Sequence, residues 1–197
     1  MRMKLGEHVA VIGEKGSGKT TLMNYIRNAF ERSIVFYCKP DEKNLYGRQG
    51  YFYRSADDLI TALNNLRYTK KYRNKVIMID DIMSFVDSSK GEYPDAIRFF
   101  ILTGRSSKCS MLLGLHYAKR FPPMLRNEID HFFIFKPTLL GEQAIKDLFG
   151  ERVLMLLSHL DKYACLYVSN TERATRLCKP VPVKIRKADE DKGVELW

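Results

Sequence analysis

The chain has 197 residues, 45% of them hydrophobic and 28% charged, which suffices for one α/β domain with a full core and not comfortably for two. A formal net charge of +10 favours a polyanionic partner, nucleic acid first, with an acidic membrane surface or simple solubilisation as alternatives. No segment approaches the ~20 apolar residues of a spanning helix and residues 1–8 hold no signal-peptide hydrophobic region, so no stable membrane insertion and a cytoplasmic setting are expected.

His8-Val9-Ala10-Val11-Ile12 is an apolar run entering a glycine-rich turn and predicts a buried strand. Leu22, Met23, Ile26, Ala29 and Phe30 recur at helical spacing over residues 20–31. A second buried strand is expected at 33–38, ended by Lys39-Pro40-Asp41, and a short one at 51–53. Ser55-Ala56-Asp57-Asp58 reads as an N-cap with an acidic first turn, opening a helix to about residue 68. The basic stretch 68–75 reads as a polar loop before Val76-Ile77-Met78-Ile79-Asp80-Asp81, a third buried strand with two carboxylates at its exit. Helices are expected at 94–103, 122–127, 141–149 and 152–160, and strands at 110–115, 131–135 and 163–168. Strands alternating with helices imply a largely parallel sheet covered on both faces.

From Lys179 onward, Pro180, Pro182 and mixed charge leave little to bury. The folded domain is therefore set at residues 1–178, with 179–197 an extended or disordered tail of which only 194–197 could dock. Cys38, Cys109, Cys165 and Cys178 form no C-x-x-C pair and read as reduced structural thiols rather than metal ligands.

Gly13-Glu14-Lys15-Gly16-Ser17-Gly18-Lys19-Thr20 fits the demanding pattern G-x-x-x-x-G-K-[S/T], and it sits between an apolar strand and an amphipathic helix. Its glycines let the backbone curl so that successive N–H groups face phosphate oxygens, and the helix start adds its positive end. ATP with Mg²⁺ is the expected ligand. Lys19 should reach the β- and γ-phosphates, the Thr20 hydroxyl should ligate Mg²⁺, and Thr21 completes the nucleotide-binding set. Lys15 either adds charge at the phosphates or a subunit interface, or is simply solvated. Asp80 ends its strand where a second Mg²⁺ ligand belongs. Asp81 is expected to turn to the other side, where it orients or deprotonates the attacking water, or merely caps the next turn.

One strand, and a shorter one after it, separate the first helix from the Asp80 strand, and the polar residue His116 ends the strand that follows. That is the layout of three-layer α/β P-loop NTPases with a mostly parallel sheet, an additional strand between the Walker A and Walker B strands, and an added catalytic carboxylate. Neither the Asn-Lys-x-Asp guanine-reading motif nor Ser-Gly-Gly-Gln is present.

The stretch Thr103-Gly104-Arg105-Ser106-Ser107-Lys108-Cys109-Ser110-Met111-Leu112-Leu113-Gly114-Leu115-His116-Tyr117, with Phe121-Pro122-Pro123-Met124-Leu125-Arg126-Asn127-Glu128-Ile129-Asp130, resembles the FtsK–HerA superfamily of DNA-pumping ATPases. The closest likeness is to the viral genome-packaging branch, typified by the poxvirus packaging ATPase and those of internal-membrane icosahedral viruses. The resemblance covers about residues 8–170. It implies an ATP-driven motor that moves double-stranded DNA into a preformed capsid, working as a homo-oligomeric ring (pentamer or hexamer). It further implies capsid vertex or portal-like partners and a place in the infected cell's cytoplasm or at the virion vertex.

Within that resemblance Arg105 is the candidate arginine finger reaching a neighbouring subunit, or one of many surface arginines, and Arg126 is the second candidate. His116 is a γ-phosphate sensor or a histidine satisfied by backbone. The branch more often has Glu where Asp81 stands, and Gln, Asn or a small hydroxyl residue where His116 stands; both substitutes can hydrogen-bond a water or a phosphate. Lys70, Lys71, Arg73 and Lys75, interleaved with Tyr68 and Tyr72, either track a DNA backbone or form a solvated face. The alternatives are a cellular HerA-like or conjugation motor, a filamentous-phage assembly ATPase, a small P-loop kinase and a non-catalytic nucleotide-dependent switch.

Overall fold

Each central strand serves two cores at once, which is why its sequence is apolar at nearly every position. In the computed structural model, which describes residues 3–40, 46, 50–82, 94–116 and 126–181, the strands are β1 (Val9–Ile12), β2 (Ser33–Tyr37), β3 (Gly50–Phe52), β4 (Lys75–Ile79), β5 (Cys109–Leu115), β6 (His131–Phe135), β7 (Cys165–Ser169) and β8 (Ala174–Cys178). The helices are α1 (Lys19–Asn28), α2 (Ala56–Thr69), α3 (Asp95–Ser107), α4 (Leu139–Phe149) and α5 (Glu151–Ser158). Ala10 and Ile12, Ile77 and Ile79, and Phe132 and Ile134 face a core shared with α2, α3, α4 and α5. Val9 and Val11, Val76 and Met78, and Phe133 and Phe135 face the opposite core, closed by Leu22, Met23 and Ile26 of α1. Period-two alternation divides each strand between these two cores. The result is a three-layer α/β fold.

The sheet runs β3-β2-β4-β5-β1-β6-β7-β8. Strands β3 through β6 pair in parallel, and β7 and β8 add an antiparallel edge. β5 stands between β1 and β4, so it is the spatially inserted strand; β2, which precedes β4 in the chain, lies outside it. Registers Ile12 to Leu115 and Ile79 to Leu113 bring the exits of β1, β5 and β4 to one edge. Ligands of open α/β sheets bind at that carboxyl edge.

Three boundaries differ from expectation. α3 runs a turn past residue 103 and takes in Gly104 and Arg105. β7 starts at Cys165 rather than 163, because Tyr163 adopts a left-handed backbone with φ 68°. β8 has no alternating apolar signal, since only its last residue is buried. The expected helix at 122–127 falls mostly outside the described residues.

The opposite edge of the sheet is built around a buried histidine. His8 Nδ1 accepts the Met111 N–H at 3.0 Å, so Nε2 carries the proton that it donates to the Ile101 carbonyl at 2.9 Å. The His8 N–H donates to Asp130 Oδ2 at 2.8 Å, while Arg105 Nη2 donates to Asp130 Oδ1 at 2.7 Å. Gly104 packs directly on the His8 ring; a Cβ there would overlap the ring and lie 2.5 Å from the Cys109 carbonyl oxygen. The Gly-Arg pair and Asp130, which carried much of the sequence resemblance, therefore meet in one structural network.

Burial pushes the His8 pKa below its ordinary 6.5 despite the nearby Asp130 carboxylate. The unfolded chain then takes up a proton below pH 6.5 that the folded chain resists. Stability is full above 6.5 and falls as pH drops from 6.5 towards the lowered folded value. Urea unfolding at a series of pH values should show this loss, and the His8→Gln variant should show a flatter profile over the same window.

Candidate nucleotide site

The loop between β1 and α1 owes its shape to two left-handed glycines, Gly16 (φ 81°) and Gly18 (φ 98°), a conformation that other residues reach only with strain. Gly13 N–H donates to the Leu115 carbonyl at 2.9 Å, anchoring the loop to β5. Gly13 also has no room for a Cβ, which would sit 2.9 Å from the Phe135 ring. No side chain caps α1. Its first N–H groups are thus left to an anion, in keeping with the positive end of the helix. Glu14 Oε1 turns away from the loop and accepts hydrogen bonds from the N–H and hydroxyl of Thr138, at the start of α4.

Lys19 is only 4% exposed. Its Nζ donates to His116 Nδ1 at 3.2 Å, and His116 Nε2 in turn lies 2.8 Å from Asp81 Oδ2. An ammonium can only donate, so Nδ1 accepts and Nε2 carries the hydrogen that goes to Asp81. Asp81 adopts a left-handed backbone, φ 59°. The alternation of β4 ends at that residue, and its carboxylate points to the same site as that of Asp80 rather than to the other side. Asp80, 1% exposed, accepts the Thr20 hydroxyl on Oδ2 at 2.8 Å.

Two tyrosines hold Asp80 that sequence reasoning did not single out. Tyr46 donates to its Oδ2 at 3.2 Å and Tyr53 to its carbonyl oxygen at 3.1 Å. Burial, reinforced by nearby Cys38, raises the Tyr53 pKa and keeps that hydroxyl a donor. Both come from segments remote in sequence, with no motif to mark them. Gly114 of β5 gives Asp80 its room, since a Cβ there would lie 2.9 Å from Oδ1.

The site fits Mg²⁺. Asp80 Oδ1 is buried with no hydrogen-bond partner, beside the Thr20 hydroxyl held on the other oxygen. One carboxylate and one hydroxyl suit a hard cation that takes its remaining ligands from water and phosphate. Among the described residues no cluster of three or more His, Cys, Asp or Glu side chains could hold a metal alone.

A cavity of about 570 Å³ opens over the loop. Its lining includes Gly16, Gly18, Lys19, Thr20 and Thr21 of the loop and helix start, together with Tyr163, Cys165 and residues 179–181. Cys165 and Cys178 are register partners across β7 and β8, and all four cysteines are free thiols.

The other candidates lie elsewhere. Arg105 and Arg126 precede β5 and β6, at the edge opposite the loop. Arg105 is anchored to Asp130, yet its side chain is 68% exposed. Lys70, Lys71 and Arg73 are exposed in the turn before β4, at that same far edge. Tyr72, between them, is buried and packs edge-on against Phe99 and Phe100, so it is a core residue.

Fold and site together define a P-loop ATPase. Residues 9–136 match the ATPase family associated with various cellular activities (AAA), and the chain belongs to that family, whose members hydrolyse ATP. It is 24% identical over 159 residues to uncharacterized protein 075L of Invertebrate iridescent virus 6. That match takes in 73% of this chain and spans 59% of the relative's length. Among solved structures it is similar to B204, the DNA-packaging ATPase of Sulfolobus turreted icosahedral virus, with TM-score 0.73 and 15% identity over 91% of this chain and 100% of that one. It is also similar to the genome-packaging NTPase B204 of Sulfolobus turreted icosahedral virus 2 in complex with AMPPCP, with TM-score 0.71 and 17% identity over 89% and 98%. Among the described residues no helix is long and apolar enough to cross a membrane.

The hydrogen-bond logic at His116 is directly measurable. In the nucleotide-free protein at pH 8, long-range ¹H–¹⁵N spectra should show an unprotonated Nδ1 and a protonated Nε2, and Asp81→Asn should perturb the Nε2 resonance first.

Proposed function

We propose that this chain is the ATPase motor of a viral genome-packaging machine, of FtsK–HerA type, which drives double-stranded DNA into a preformed capsid. The observation that carries the reading is a strand-inserted ATPase site within a fold that matches a DNA-packaging ATPase along that protein's whole length. In this reading residues 13–21 hold the nucleotide, with the N–H groups of the loop and Lys19 on the β- and γ-phosphates. Thr20 and Asp80 would hold Mg²⁺, which supplies charge neutralisation between the phosphates when bound. Binding draws Lys19 from His116 towards phosphate, and His116 Nδ1 becomes available to the γ-phosphate or to the attacking water. Asp81 fixes the tautomer of His116 and takes the role of catalytic carboxylate, orienting that water directly or through the imidazole.

Arg105 is assigned as the finger supplied to a neighbour's γ-phosphate, with Arg126 as the second choice. Within its own subunit Arg105 is separated from the loop by the seven residues of β5, about 23 Å at ~3.3 Å per residue. It therefore acts across a subunit boundary or not at all, and this requires a homo-oligomeric ring. Its exposed guanidinium edge, beyond the one held by Asp130, is what would project. Lys70, Lys71, Arg73 and Lys75 are assigned to the DNA backbone, consistent with the charge of +10. Capsid vertex or portal-like proteins are the remaining partners, and the infected cell's cytoplasm or the virion vertex the setting. The ATPase domain is placed at residues 1–178, with 179–197 as its tail.

Purified protein should show Mg²⁺-dependent ATP hydrolysis that Lys19→Ala abolishes; hydrolysis unaffected by that change would sink the assignment. Arg105→Ala subunits mixed with Lys19→Ala subunits should recover part of the activity, because a finger and an intact loop then meet at some interfaces. No recovery at any ratio removes Arg105 from the trans role. DNA should stimulate turnover. The triple change Lys70→Ala, Lys71→Ala, Arg73→Ala should flatten the salt dependence of DNA binding by about 0.9 in log–log slope for each phosphate left without its cation. An unchanged slope would place the DNA elsewhere.

A further inference from the structure

The phosphate loop lines only part of the 570 Å³ cavity, and the rest is walled by residues that no motif marks. Tyr163 stands there, 48% exposed, in a left-handed backbone with φ 68°. A bulky side chain in that conformation is strained, and such strain persists where the surrounding structure enforces it. The ring lies against the start of α1: a Cβ on Gly18 would meet Tyr163 Cδ1 at 3.4 Å. Behind it, the Lys162 ammonium is 5.0 Å from the ring centroid and lines a second hollow, not the nucleotide cavity. Pro180 and Val181, just after β8, line the same cavity, with Val181 packed on the α1 core.

We propose that the space between Tyr163 and residues 179–181 is the nucleoside end of the site, where the Tyr163 ring and the Pro180–Val181 side chains hold the base by its faces. The inference rests on the phosphate assignment above. With the triphosphate fixed along residues 13–21, the ribose and base must occupy the remainder of the same cavity. Aromatic and apolar faces at that end suit a planar heterocycle. The first residues after β8 are then part of the nucleotide site rather than an appendage to the domain. The role of Tyr163 explains why a strained tyrosine stands where glycine would sit without strain.

The test compares AMPPCP with inorganic tripolyphosphate, both with Mg²⁺, by calorimetry on the full chain. Wild type should bind AMPPCP at least about tenfold more tightly than tripolyphosphate, the size expected from one stacked base. Tyr163→Gly relieves the backbone strain and removes the ring. It should weaken AMPPCP about tenfold, equivalent to about 1.4 kcal/mol, leave tripolyphosphate unchanged, and not lower the thermal midpoint. Tyr163→Phe should keep wild-type affinity for both probes. Equal binding of the two probes by wild type, or wild-type AMPPCP affinity in Tyr163→Gly, overturns the nucleoside site while leaving the phosphate site standing. A parallel loss of both affinities makes Tyr163 a scaffold for the loop and overturns it equally. Wild type that binds neither probe overturns the phosphate assignment and this inference with it.

Discussion

A buried ammonium needs a compensating electron pair, and much of this site follows from meeting that need at Lys19. At 4% exposure the charge cannot be solvated by water. It is met by the lone pair of His116, which is polarised in turn by the Asp81 carboxylate. This relay draws on three elements, α1 and the exits of β5 and β4, so it requires β5 to lie between β1 and β4. It also requires Asp81 to leave the strand in a left-handed turn. A phosphate would replace the histidine as the partner of Lys19, so the arrangement reads as a resting state that holds its cation until an anion arrives.

The two edges of the sheet are occupied by different chemistry. The carboxyl edge collects the left-handed glycines, Lys19, the paired carboxylates and a deep cavity. The opposite edge collects Arg105, Arg126, the exposed lysines before β4 and the His8–Asp130 network. In the far-edge network the polar groups are satisfied internally and the packing around Gly104 admits no extra atom. That edge is closely packed where it is buried and cationic where it is exposed.

How much of this was legible in the sequence depended on how local its physics is. The phosphate loop needs glycines, lysine and threonine at fixed spacing, so eight residues carry the whole signal. The central strands announce themselves because two cores demand apolar residues at nearly every position. β8 was not legible, since a strand whose side chains mostly face water carries no alternating apolar pattern. The basic run was legible as charge but not as structure: Tyr72 belongs to the core, and nothing in its neighbours distinguishes it from exposed Tyr68. Tyr46, Tyr53 and Tyr163 escaped because each reaches the site through tertiary folding alone. The partnership of Arg105 with Asp130 joins two residues whose likeness to a family had been visible separately but whose contact had not.

The position of β1 also bears on how the molecule is made. β1 is the first strand in the chain, yet both its neighbours, β5 and β6, lie beyond residue 108. Closing such long loops is slow and must precede any gain from the contacts they bring. During synthesis the phosphate loop therefore leaves the ribosome before both strands that pin β1, and by the time those strands have emerged the Asp80–Asp81 segment has emerged as well.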